Sequence, residues 1–466
     1  MSKKEIESSR KYGLGEINSY SLAQGMVEFL MNSFNAFVFF FYETEILLNV
    51  GILALIFTLF TLWDAINDPL IGNLTDRPFK FTRKLGRRLP WVLIGAFPWA
   101  ILYIFIYMPP NVNPNTQVWT IFFYLLIILC AFDTFLTLWT VNSEALFPAK
   151  FRDLKQRRKI SGLKAFWGII GIAMGIIIPP LFIEYNNRGS YITQAVILSI
   201  IAICLTFLII PGHRESKELI DEYFATGVEH KERIGFIKAL VSALKKKNFM
   251  LVVVLQFFYY ILTGLLLASM NYFLKYNLKE DPEAFIVVMG SYLLVSLITI
   301  PIWVKISHKV NNNKKMITNG AFLMAIMTIP LIFVNSLLFL IITAAMIGFA
   351  GGIFFVMQDA VFADVVDEAV ILDTDRREGT YFGIKIFLSR LSSIFVVLSI
   401  AIVHIMTGFN PSATDQTPLA LIGIRIHIGV IPVISLLIGA FIFWKWYDLT
   451  PEKTVQIQAK IKELGL

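Results

Sequence analysis

Cysteine, histidine and charge are all scarce in this chain of 466 residues. The two cysteines, Cys130 and Cys204, lie apart inside apolar stretches, so they offer neither a disulfide framework nor metal-ligand spacing. The five histidines form no HExxH motif or cluster, and each reads as a packing or interfacial residue. No nucleophile with a neighbouring base, metal motif or phosphate loop is present, so neither an enzyme nor a bound cofactor is expected. The opening "MSKKEIESSRKYG" is followed by no short apolar core with a small-residue cleavage site, and the first apolar span is expected to be retained. Charged residues make up only 16% of the chain and hydrophobic ones 56%, too little polar surface for a soluble protein of this size. An integral membrane protein follows.

What the sequence does have is a series of long apolar runs. They fall near 18–42, 50–74, 91–108, 118–147, 160–185, 192–210, 249–275, 284–306, 316–334, 337–363, 380–408 and 419–446. Each is long enough to cross about 30 Å of hydrocarbon as a helix. The expected fold is therefore all-α, with twelve transmembrane helices in two six-helix bundles. Prolines interrupt several runs: Pro69, Pro179 with Pro180, Pro301, Pro330 and Pro432. All but Pro69 read as ordinary kinks, tolerated where neighbouring helices satisfy the freed backbone groups.

The net charge of +8 has a membrane explanation, so no nucleic-acid partner is expected. Lys and Arg concentrate in the connections after the second and fourth runs and in the long connection after the sixth, while "PPNVNPNTQ" after the third carries no charge. Because basic residues are retained in cytoplasmic loops, both termini are expected on the cytoplasmic side of the cell membrane. The chain divides into a first bundle over 1–210, a linker over 211–248, a second bundle over 249–446 and a tail over 447–466. Within the linker, Ile234, Ile237, Leu240, Val241 and Leu244 share one helical face ahead of a run of lysines. That pattern predicts an amphipathic helix on the inner leaflet.

Charges inside the spans point to function. The stretch "WDAINDPLIGNLTDR" places Asp64 and Asp68 four residues apart on one helix face, with Asn67 beside them. An aspartate at a helix centre costs about 2.5–3.5 kcal/mol to insert, so two imply a cavity or a ligand. Two like charges at this separation repel, which favours uptake of a proton or small cation. Carboxylate, amide and carbonyl oxygens are the hard ligands such a cation takes. Pro69 adds a carbonyl, because its missing N–H leaves that of Ala65 without an intrahelical partner. Arg77 is thirteen residues from Asp64, about 20 Å along a helix, too far to neutralise it locally. In the fourth run Asp133, Thr137, Thr140 and Glu144 form one stripe. Glu28, Lys164, Gln358, Asp359, Lys385, Arg390, Arg425 and His427 are the other polar groups in spans.

Several of these stretches together resemble one family. "KYGLGEI", "WDAINDPLIGNLTDR", "PWVLIGAFP", "ALFP" and "FADVVDEAVILDTDRREGTYFG" resemble the glycoside-pentoside-hexuronide:cation symporters, the melibiose permease-like branch of the major facilitator superfamily. The resemblance implies that Asp64, Asn67, Asp68 and Thr137 are cation ligands, for Na⁺ or H⁺ with Li⁺ also open. Its sugar half departs from the pattern. Tyr20 and Thr140 stand where the family has sugar-binding aspartates, Glu144 and Phe355 replace tryptophans, and Gln358 matches. The helix V arginine becomes Lys164 or Ala165, and the helix XI lysine becomes Arg390. The candidate substrate groups are thus Tyr20, Asp133, Thr140, Glu144, Lys164, Phe355, Gln358 and Arg390. Arg77, Asp364, Asp367, Arg376, Arg377 and Glu378 resemble the family's cytoplasmic gate.

The expected function is alternating-access symport of a sugar, glycoside or uronide with a monovalent cation. The expected partners are that substrate, the cation and the lipid bilayer, with the chain working as a monomer and no metal beyond the transported cation. The alternatives are a lysolipid or other amphiphile carrier of the same fold, because sugar-stacking tryptophans are missing, and a sensor that binds solute without moving it.

Overall fold

The computed structural model describes residues 12–75, 79, 86–225, 236–373 and 378–463, and the regular structure of these residues is entirely helical. Among the described residues, twelve helical stretches are long and apolar enough to cross a membrane: Leu14–Thr44, Val50–Gly72, Leu89–Ile106, Val118–Lys150, Lys155–Leu181, Arg188–His213, Lys247–Leu278, Ala284–Val310, Asn313–Phe333, Leu337–Asp373, Thr380–Thr407 and Pro418–Trp446. The contacts divide the chain into two compact units, Met1–Lys231 and Glu232–Leu466.

The first unit contains α1 (Leu14–Thr44), α2 (Val50–Thr75), α3 (Leu89–Ile106), α4 (Val118–Lys150), α5 (Leu154–Ile177), α6 (Arg188–His213) and the short α7 (Lys217–Ala225). Its tightest seam joins α1 to α5. Glycine makes that approach possible, since a Cβ on Gly171 would lie 2.1 Å from the carbonyl oxygen of Gly25. Small residues let helix backbones meet where lipid supplies no hydrophobic drive for association. Aromatic side chains fill the interior beside the α3–α4 seam, where Phe132 is in ring contact with both Trp99 and Tyr103.

The second unit contains α8 (Phe236–Leu244), α9 (Lys247–Tyr272), α10 (Ala284–Val310), α11 (Asn313–Thr328), α12 (Leu337–Asp373), α13 (Glu378–Arg390), α14 (Ser392–Thr407), α15 (Pro418–Arg425), α16 (Ile431–Trp446) and α17 (Pro451–Glu463). Here α10 and α12 form the closest pair, and a Cβ on Gly348 would lie 2.3 Å from the carbonyl oxygen of Tyr292. Two spans are completed by π-helical turns, Phe273–Leu278 after α9 and Ile426–Val430 between α15 and α16.

Local chemistry explains the departures from straight α-helix. Pro179 with Pro180 and Pro330 open 3₁₀ turns, Pro179–Leu181 and Ile329–Phe333, because proline cannot donate the helical hydrogen bond but fits a helical first turn. Pro301 sits inside α10, and α2 runs on through position 69. The tenth span reaches Asp373, ten residues beyond its apolar run. Hydropathy ends where the carboxylates cluster from Asp364 onward, whereas the backbone ladder continues and buries Val365, Val366, Ala369 and Val370. Of the expected amphipathic face, Ile234 and the side chain of Ile237 lie outside the described residues. Among the described side chains of α8, Ala239 and Ala243 are buried, and the helix packs on α9 and α13 and leaves Val241 and Leu244 exposed.

Candidate functional site

Asp68 of α2 and Asp133 of α4 are each held by a side chain of the other helix. Asn67 donates from Nδ2 to Asp133 Oδ2 at 3.0 Å, and Thr137 donates from Oγ1 to Asp68 Oδ1 at 2.9 Å. Trp63 Nε1 donates to Thr134 Oγ1 at 3.1 Å one turn earlier on α2, a further side-chain hydrogen bond between the two helices. Asn67, Asp133 and Thr137 are 1–3% exposed, while Asp64 and Asp68 are half-buried. Spacing explains the convergence: 64, 67 and 68 form one patch of α2, and 133, 134 and 137 form the facing patch of α4. Among the described residues no three or more His, Cys, Asp or Glu side chains converge as they would for a metal. The donor set is mixed carboxylate, amide and hydroxyl, suited to a hard monovalent cation or a proton.

The stripe on α4 serves two neighbours. Its Asp133 and Thr137 face α2, Thr140 turns its hydroxyl to the Leu136 carbonyl at 2.8 Å, and Glu144 forms an ion pair with Lys164 of α5. Asp133, grouped with the substrate residues by sequence, is in contact with Asn67, one of the expected cation ligands. Its signal was the i, i+4 spacing to Thr137, which puts both residues on the side of α4 that meets α2.

Tyr20 departs further from expectation. It is 1% exposed, donates its hydroxyl to the Ser143 carbonyl at 2.7 Å, stacks on Phe147 and meets Phe151 edge-on and His213 at a tilt. It packs in a buried cluster with Ile17, Leu146, Phe151 and Ile160. Beside it, Ser143 bonds His213 at 2.7 Å and Lys150 caps the end of α6 through the Gly212 and Arg214 carbonyls.

In the second unit Phe355 is exposed and Gln358 and Arg390 are half-buried. Asp364 is 8% exposed and accepts from Asn313 Nδ2 at 2.8 Å, a contact inside its own unit, and Asp367 is half-buried. Arg77, Arg376, Arg377 and the side chain of Glu378 lie outside the described residues. Sequence reasoning missed the polar network at the start of α9. Asn248 donates to Glu368 at 2.9 Å and to Asp448 at 2.8 Å, Lys246 pairs with Asp373 at 2.7 Å, and Tyr381 donates to Asp373 at 2.5 Å. It also missed a buried histidine pair, His404 and His427, whose Nε2 atoms are 3.2 Å apart with Ser269 2.7 Å from His427 Nδ1. Residues this far apart in sequence carry no shared spacing that could reveal them.

Twelve spans in two units, with an oxygen-lined patch inside one of them, define a multi-pass transporter of the cell membrane. The family model described as "MFS/sugar transport protein" matches residues 19–451, and the chain belongs to that family. It is similar to the sodium-dependent lysophosphatidylcholine symporter 1 of Gallus gallus, 20% identical over 86% of this chain and 80% of that one. The uncharacterized symporter YnaJ of Bacillus subtilis is 24% identical, with coverage of 96% and 94%. The raffinose carrier protein of Pediococcus pentosaceus is 22% identical, with coverage of 89% and 64%. Among solved structures, the D-xylose-proton symporter superposes with a TM-score of 0.62 at 14% identity, covering 92% of this chain and 97% of that one. A bacterial homologue of the lysosomal transporter Spinster superposes with a TM-score of 0.65 at 14% identity, with coverage of 95% and 98%. The protein is a secondary transporter, and its symporter relatives imply a small-molecule substrate and a coupling cation.

Proposed function

We propose that the protein carries a sugar, glycoside or uronide into the cell together with Na⁺ or H⁺. The observation that supports this most is the paired contact of α2 with α4, Asn67 to Asp133 and Thr137 to Asp68, which gathers carboxylates with amide and hydroxyl oxygens inside a membrane span. Burying the charged patch without a cation is costly, so cation binding lowers the cost of occluding the site and raises affinity for the substrate, and the converse holds by linkage. Both termini are cytoplasmic in this reading, because the basic connections belong inside. Arg77, Asp364, Asp367, Arg376, Arg377 and Glu378 form the gate on that side, and the chain acts as a monomer.

Lysolipid transport is the second reading, favoured by similarity to the lysophosphatidylcholine symporters and by the absence of the sugar-stacking tryptophans. Proteoliposomes loaded with the purified chain separate the two. Uptake of raffinose or another glycoside that rises with an inward Na⁺ or H⁺ gradient is the expected result. Uptake of lysophosphatidylcholine with no glycoside uptake or competition overturns the sugar reading in favour of the second.

A further inference from the structure

One carboxylate within the spans has no role in the cation patch. Glu28 lies midway along α1, where its Oε1 accepts from Gln24 Nε2 at 2.9 Å and its Oε2 from Asn32 Nδ2 at 3.2 Å. Gln24, Glu28 and Asn32 are spaced by four residues and form one polar line along the α1–α5 seam. Across it is glycine: a Cβ on Gly168 would lie 3.2 Å from Gln24 Cγ and 3.8 Å from Glu28 Cγ, and one on Gly175 3.1 Å from Asn32 Cβ. Among the described residues, no Lys or Arg forms an ion pair with Glu28. All three side chains keep partial access to the surface. A charged group facing hydrocarbon is expensive, which favours water over lipid at this face of the seam.

The chemistry of the line is that of an acceptor. Each carboxylate oxygen receives one amide N–H and retains a further lone pair, and the amide oxygens of Gln24 and Asn32 add two more acceptors. A ligand that satisfies them must donate. We propose that Glu28, flanked by Gln24 and Asn32, is a substrate-recognition site for the adjacent hydroxyls of a neutral sugar or glycoside, each hydroxyl donating to one carboxylate oxygen. The charge of Glu28 repels a carboxylate or phosphate, so the line discriminates against uronides. This rests on the sugar reading above and narrows it.

The test uses the full chain in nanodiscs, with thermal shift and binding isotherms for a panel of neutral sugars and glycosides including raffinose, for matching uronic acids and for lysophosphatidylcholine, each with and without Na⁺. The wild type is expected to bind at least one neutral member. Glu28→Gln is expected to bind it at least about 10-fold more weakly, the scale of losing a hydrogen bond to a charged acceptor. Glu28→Asp is expected to retain part of the binding, and both variants are expected to keep the wild-type response to Na⁺, which also reports folding. Unchanged neutral-sugar affinity in Glu28→Gln, a wild type that binds uronic acids in preference, or loss of the Na⁺ response in a folded variant overturns the assignment while leaving sugar symport standing. Binding of lysophosphatidylcholine alone by the wild type overturns the sugar reading itself and this site with it.

Discussion

The two units carry their polar side chains in different places. In the first, carboxylates meet amides and hydroxyls in the middle of the spans, on α2 with α4 and along α1. In the second, the buried interior of the spans holds ring contacts such as Tyr259 on Phe354 at 4.1 Å and the contact of His404 with His427, and the carboxylates Asp364, Glu368 and Asp373 are collected toward the end of α12. A carboxylate inside a span is costly to insert and is retained where it binds something, whereas one near a helix end reaches polar partners at little cost. The comparison separates a carboxylate, amide and hydroxyl patch within the spans of the first unit, the patch proposed above to bind the cation, from a polar clasp at the end of the second.

The division breaks if charge removal in the two units has similar consequences. The largest effect is expected for Asp68→Asn, which should abolish Na⁺- or H⁺-stimulated uptake in proteoliposomes while the protein still inserts; undiminished stimulation would sink the cation assignment. Next comes Asp133→Asn, which preserves shape and an acceptor for Asn67 but removes the charge. Cation affinity should fall about 10-fold, the scale of one charged hydrogen bond, with substrate affinity at saturating cation nearly unchanged. A loss confined to substrate affinity would return Asp133 to the substrate set.

In the second unit, Asp373→Asn weakens the contacts to Lys246 and Tyr381, both largely buried. A loss of about 1–3 kcal/mol in stability is expected, seen as a lower melting temperature, with cation stimulation per folded molecule intact. The smallest effect belongs to Asp448 beyond the last span. Burial pushes its carboxyl up, but the hydrogen bonds from Asn248 and Lys247 outweigh this and hold it below the ordinary carboxylate range. A depressed folded pKa stabilises above the unfolded value near 3.9, and this contribution is lost as pH falls through the folded pKa. Because Asp448 is about half-exposed, the contribution is about 0.5 kcal/mol at most. Comparing acid melting curves of the wild type and Asp448→Asn should show the difference vanish at low pH.

Much of the fold was legible in the sequence, since hydropathy is a property of a local stretch. The run near 118–147 became Val118–Lys150 and that near 284–306 became Ala284–Val310. The ends were less legible, because helices continue past the hydrocarbon wherever the backbone ladder can, as α12 does to Asp373. Spacing also exposed Asp64, Asn67 and Asp68 as one patch. It could not say which helix that patch would meet.

The residues thus determined by themselves that the chain crosses a membrane, how many times, and which spans carry charge. Only the tertiary structure decided which charges act together. Asp133 joined Asn67, Glu144 went to Lys164, Tyr20 turned into the core, and His404 met His427. The physical reason is that apolar length fixes a helix in depth, while its rotation and neighbours are set by packing against other helices, as where Gly171 admits the backbone of α1. A side chain's partner depends on that rotation, and nothing in its own stretch of sequence records it.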